Sequence, residues 1–133
     1  MRVLVVDDDE DFLLLARSAL EARGHDVETT STAFGLVNRV AATQTGRRPD
    51  IVILDCDLPG LTGFSALELL AKDRRTSTVP ILLVSATEGE SHRAAARAHP
   101  LSTFMQKDGH MRVLVAKLEE HAMTAVDLAM VKH

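Results

Sequence analysis

Tryptophan and tyrosine are absent from these 133 residues, and phenylalanine occurs only four times. Aromatic platforms that hold unpaired bases by stacking are therefore excluded. A basic excess is missing too: 15 Lys and Arg face 19 Asp and Glu, a formal net charge of −4, which offers a phosphate backbone no broad cationic footprint. Direct nucleic-acid binding is not expected. The single cysteine, Cys56, can close no internal disulfide and has no Cys-x-x-Cys partner, so the simplest setting is the reducing cytoplasm. No apolar run approaches the ~20 residues of a membrane span, and Met1 stands directly before a strand pattern without a basic leader or cleavage site. The expectation is a soluble, unexported chain with no membrane partner. Internal repeats and low-complexity linkers are also lacking, and the length suits one domain that buries roughly two thirds of its unfolded surface.

What the chain does have is an alternation of short apolar runs with helical patterns, which predicts βαβ units. Val3-Leu4-Val5-Val6, Ile51-Val52-Ile53-Leu54 and Ile81-Leu82-Leu83-Val84 read as buried strands of a parallel sheet. Val27 to Thr30 is a weaker second strand and Ser102 to Gln106 a fifth. Between them, Phe12, Leu15, Ala16, Ala19 and Leu20 mark one helix face, stopped by Gly24. Phe34, Val37, Val40 and Ala41 mark the next, closed by Gly46 and Pro49. After a Pro59-Gly60 turn, Phe64, Leu67, Leu70 and Ala71 line a third, and Met111, Leu114, Val115 and Leu118 a fifth. The fourth helix, about Glu88 to Ala98, carries almost no large apolar side chain and is expected to be the most mobile. A domain over 1–121 followed by a segment 122–133, extending the last helix or ending as a tail, is the expected organisation. Ala122, Ala125 and Ala129, with Met123, Val126 and Met130, would give a longer fifth helix a docking or dimer face.

Each strong strand runs into a chemically active side chain: Asp7-Asp8, Asp55, Ser85 and Lys107. The carboxyl ends of parallel strands share one edge, and ligands of such sheets bind there. Carboxylates of Asp7, Asp8 and Asp55 held at 4 Å would repel one another by roughly 4 kcal/mol per pair at an effective dielectric near 20, so a cation must join them. An oxygen-only cluster with room for water suits Mg2+. With Lys107 as a second positive charge, the edge is equipped to receive a phosphoryl group on a carboxylate nucleophile. Asp9, Glu10 and Asp11 favour a helix N-terminus instead.

Val5-Val6-Asp7-Asp8, then Leu54-Asp55-Cys56-Asp57-Leu58-Pro59-Gly60 ending at Gly63, then Ser85-Ala86 and Lys107 together resemble the receiver domain of two-component response regulators over about residues 1–121. The resemblance implies an α/β fold with a five-stranded parallel sheet in the CheY-like, flavodoxin-like order 2-1-3-4-5 and helices on both faces. It implies that Asp55 takes a phosphoryl group from a histidine kinase or phosphotransfer protein. Asp7, Asp8, Asp55 and the backbone carbonyl of Asp57 would hold Mg2+. Lys107 would pair with Asp55 before transfer, Ser85 would donate to the phosphoryl group, and Phe104 would fill the space vacated as the Ser85 loop moves in. Such a chain is a switch and not an enzyme beyond its own phosphorylation and dephosphorylation. Its signal would leave through the fourth helix, fifth strand and fifth helix, to a downstream target or output domain, or into a homodimer.

Asp108 stands where many receivers carry proline, so a different loop after the fifth strand is expected. Asp57 is the unusual acid, within reach of a phosphoryl group that it would repel or whose hydrolytic water it would orient. No role is expected for the histidines, His110 at a partner contact aside, and Cys56 is expected to be a packing residue. Two other readings stay open: a receiver used only as a phosphorylation-independent binding module, and a phosphohydrolase of the haloacid dehalogenase type, whose nucleophile motif Asp55-Cys56-Asp57 imitates. The latter leaves Asp7-Asp8 unexplained.

Overall fold

A computed structural model describes residues 1–43 and 48–131, with side chains described as far as Ala125. Five parallel strands form the central sheet: β1 (Arg2–Val6), β2 (Asp26–Thr30), β3 (Ile51–Asp55), then, after a hairpin of β4 (Asp57–Leu58) and β5 (Leu61–Thr62), β6 (Ile81–Ser85) and β7 (Ser102–Gln106). Their order is β2-β1-β3-β6-β7, so the long strands follow the expected 2-1-3-4-5 sequence. The β4-β5 hairpin replaces the simple turn expected at Pro59-Gly60, and Gly60 bends it at φ +78°, a region that disfavours a Cβ.

The strands alternate sides with period two, and both sides are covered. Val3, Val5, Ile51, Ile53, Leu82 and Val84 face α1 (Glu10–Glu21) and α5 (Met111–Val131). Leu4, Val6, Val52, Leu54, Ile81 and Leu83 face α2 (Ala33–Ala42), α3 (Gly63–Lys72) and α4 (Glu90–Arg97). Continuous apolar strands are the signature of such double coverage.

Three helix faces differ from the sequence expectation. In α1 the buried residues are Phe12, Leu13, Ala16 and Leu20, while Leu15 is 53% exposed. In α2, Leu36 and Val40 are buried and Phe34 and Val37 face outward. In α3, Phe64 is exposed and Ala66 lies in the core. Helical periodicity allows more than one stripe in runs such as Leu13-Leu14-Leu15, and docking against the sheet selects the stripe that brings Leu13 or Leu36 onto the strands. Gly46, expected to close the second helix, lies outside the described residues, as do the side chains of Val126, Ala129 and Met130.

Helix α4 buries only Ala96, and its N-cap Gly89 makes no side-chain capping bond. Little apolar area and no cap hold it down, so its amides should exchange with solvent fastest among the five helices. Native-state hydrogen exchange checks this; protection of α4 equal to that of α1 would contradict it.

Candidate functional site

Parallel pairing carries the ends of β1, β3 and β6 to one edge, with Val6 beside Leu54 and Asp55 beside Val84. Asp7 follows β1, its amide bonded to Thr30 O at 3.1 Å, and its side chain is fully buried. Its Oδ1 accepts from the Asp9 amide at 2.9 Å. Asp9 turns the other way and N-caps α1, accepting from the amides of Asp11 and Phe12. Asp55 ends β3 and is 4% exposed, with Oδ1 accepting from the Asp57 amide at 3.1 Å. Asp8 is exposed at the rim. One carboxylate oxygen from each of Asp7, Asp8 and Asp55 lies within 4.8 Å of the others.

Burial pushes the Asp55 carboxyl up from 3.8 to about 6; the Asp57 amide pulls it down, Asp7 and the Asp57 carboxylate raise it, and Lys107 lowers it. Asp7 Oδ2 is buried without an oriented hydrogen bond. Three carboxylates that offer only acceptor oxygens, each within 4.8 Å of the others, fit a hard divalent cation such as Mg2+.

Lys107 was expected to pair with Asp55; its ammonium instead sits 2.5 Å from Asp7 Oδ2, and 4.3 Å from the centre of the Phe12 ring. The wholly buried carboxylate has the greater need of a counter-charge, and the ring face adds a cation–π attraction. The Lys107 amide donates to Ser85 O at 2.8 Å, which ties the β7 end to β6. Among the described residues no peptide bond is cis; past Lys107 the loop turns at Gly109 (φ +83°), with Asp108 Oδ1 accepting from the His110 amide.

Ser85 is buried, and its hydroxyl donates to Asp57 Oδ2 at 2.6 Å while accepting from the Thr87 amide at 3.2 Å. Phe104 is only 8% exposed, packed in the cluster that holds Leu83 and Ala96. Its ring stacks on His92 with centroids 5.6 Å apart, and the Arg93 guanidinium lies 5.4 Å from its centre. His92 Nε2 is in turn 3.9 Å from Asp57 Oδ1. Sequence reasoning gave His92 no role, because a histidine on a polar, alanine-rich helix carries no local signal of what lies across the loop. Phe12 and Thr87 were likewise missed as site neighbours; the spacing Ser85-x-Thr87 is a hint for Thr87 alone.

Cys56 is buried behind the acceptor, its thiol pushed up to about 12 by burial and by the carboxylates of Asp57 and Asp55. It stays protonated and packs. A Cβ on Gly63 would stand 3.2 Å from Cys56 Cα, and the Gly63 amide donates to Cys56 O at 3.0 Å. The last glycine of the acceptor motif is thus required by close approach of two backbones.

A family model described as the response regulator receiver domain matches residues 3–119. Among curated relatives, the chain is 29% identical to protein PilH of Pseudomonas aeruginosa over 80% of its own length and 84% of PilH. It is 34% identical to the transcriptional regulatory protein KdpE of Mycobacterium tuberculosis over 87% of this chain, which spans 48% of that relative. The solved structure of chemotaxis protein CheY4 of Vibrio cholerae superposes with a TM-score of 0.77 at 23% identity, over 90% of this chain and 96% of that one. With the strand order, the acidic edge and the matched length in agreement, the chain belongs to the receiver-domain family of the two-component response regulators.

Proposed function

We propose that this chain acts in the cytoplasm, accepts a phosphoryl group on Asp55 from the phosphohistidine of a histidine kinase or phosphotransfer protein, and signals by changed protein contacts. The observation that carries this is the buried Asp55 carboxylate within 4.8 Å of the carboxylates of Asp7 and Asp8. An Asp55 oxygen forms a bond to phosphorus as the phosphorus–nitrogen bond to the donor histidine breaks, and the imidazole leaves with the electron pair. Asp7, Asp8, Asp55 and the carbonyl of Asp57 would hold Mg2+, which supplies the positive charge that lets an anion approach this acidic edge. The Asp57 amide on Asp55 Oδ1 fixes one carboxylate oxygen and leaves the other for attack. Lys107, mostly covered beside Asp7, would supply a second positive charge to the transferred group, and Ser85 would be its hydroxyl donor. Phe104 and the face formed by α4, β7 and α5 would carry the change to a downstream protein, an output domain or a second copy.

Incubation with a small acyl phosphate and Mg2+ tests this by label stoichiometry. One label per chain is expected; many turnovers would indicate a phosphohydrolase, and no uptake a binding module.

Asp57 should set how long the label lasts. With its carboxylate beside the acceptor, it meets the phosphoryl charge directly, so Asp57→Asn should change the decay rate of the phosphorylated chain severalfold. Equal decay in both proteins, followed by loss of label after donor removal, would sink this.

A further inference from the structure

Phosphoryl transfer to Asp55 needs no side-chain carboxylate at residue 57, yet both oxygens of the Asp57 carboxylate face groups on neighbouring elements. Oδ2 takes the Ser85 hydroxyl at 2.6 Å, and Oδ1 faces His92 at 3.9 Å. A hydroxyl carries one hydrogen. With that hydrogen on Asp57, and with the Thr87 amide donating into the same oxygen, Ser85 has none to offer a phosphoryl group until the contact breaks. The two Asp57 oxygens also reach both structures that flank Phe104: Ser85 ends the strand paired with β7, and His92 stacks on the Phe104 ring from α4. Phe104 is packed inward in the cluster that holds Leu83 and Ala96.

We propose that Asp57 is an internal stand-in for a phosphoryl oxygen, a positioning residue that holds Ser85 drawn in, and through Ser85 and His92 keeps Phe104 in its inward place before phosphorylation. The inference rests on the roles given above to Ser85 and Phe104. A transferred phosphoryl group then competes with Asp57 for one hydroxyl hydrogen instead of drawing in a free loop. The unmodified chain presents an α4-β7-α5 face close to that of the modified one, and phosphorylation alters that face less than removal of Asp57 does.

The aromatic spectrum makes this measurable, since the chain has four Phe and no Tyr or Trp. Ring-labelled protein, without any phosphodonor, is compared as parent, Asp57→Ala and Ser85→Ala by cross-relaxation between the Phe104 ring and the methyls of Leu83 and Ala96. The Asp57 side chain is 55% exposed, so its removal leaves the core intact. Ser85→Ala breaks the same bond from its other end while leaving the Asp57 charge in place. Loss of one hydrogen bond to a half-exposed carboxylate should lower the inward-to-outward ratio of Phe104 about fivefold in both variants. Unchanged Phe104 contacts in Asp57→Ala overturn the proposal, and so does a change confined to Ser85→Ala, where the hydroxyl would be acting without Asp57. Labelling of the parent at Asp55 is measured alongside. Displacement of the ring in both variants with no label in the parent refutes the acceptor reading and leaves the Asp57 contact standing.

Discussion

Asp55→Asn should take up no label from an acyl phosphate and at the same time unfold at higher denaturant than the parent when Mg2+ is absent. The first effect follows because an amide oxygen in that place cannot form the acyl phosphate, while Asp7 is closed off in an ion pair and Asp57 is engaged by Ser85. The second follows from the cluster. Burial, with the Asp7 and Asp57 charges, raises the Asp55 carboxyl from 3.8 to about 6, the Asp57 amide and Lys107 only partly offsetting them. An acid whose folded value lies above its unfolded one holds its proton more tightly when folded. Between the two values the folded state binds more protons than the unfolded one, so stability falls as pH rises through that window and the full penalty stands above about 6. Its size is on the order of 1–3 kcal/mol. Asn removes the titrating group, so Asp55→Asn should be the more stable protein at neutral pH and show a flatter profile between about 4 and 6. Urea titrations across that range decide it. Matching midpoints at neutral pH would end the electrostatic account, whereas retained label would end the acceptor assignment.

Lys107→Met should have the opposite sign. The Asp7 side chain is fully buried, its Oδ2 has the Lys107 ammonium at 2.5 Å and no oriented hydrogen bond, and the lysine is itself mostly covered. Methionine keeps an unbranched side chain of similar length and removes the charge that lies over the Phe12 ring, which leaves an uncompensated buried carboxylate. Breaking a buried pair in this way costs about 3 kcal/mol or more. Two controls separate the charge effect from packing. The double variant Asp7→Asn with Lys107→Met should recover most of the loss, because no lone charge remains. Mg2+ should bind Lys107→Met more tightly than the parent and so stabilise it more at equal concentration, because the ion replaces the missing positive charge. A single variant as stable as the parent, or a double variant no better than the single, would show that Lys107 contributes by contact alone.

The sheet and its edge were legible in the sequence because the signals are local and redundant. Four apolar residues ending in Asp7, Asp55 or Ser85 announce a strand and its active terminus together, and parallel pairing needs no further information to bring the termini to one edge. Helix faces were less legible. Leu13-Leu14-Leu15 satisfies helical spacing in more than one rotation, and only contact with Val3, Ile53 and their neighbours shows that Leu13 goes in while Leu14 and Leu15 stay out. Choice of partner among charges was least legible. Lys107 could have met Asp7, Asp8 or Asp55, and nothing in residue order says which.

By itself the sequence determined the βαβ order, the placement of carboxylates, hydroxyl and ammonium at one edge, and the membership that follows from them. Only the tertiary structure decided that Lys107 answers Asp7, that Ser85 spends its hydrogen on Asp57, and that His92 lies between Asp57 and Phe104. The physical reason is range. Periodicity and strand ends are fixed by neighbours a few residues away, whereas a buried charge or a single hydroxyl hydrogen goes to whichever partner packing brings nearest in a medium too apolar to leave it alone.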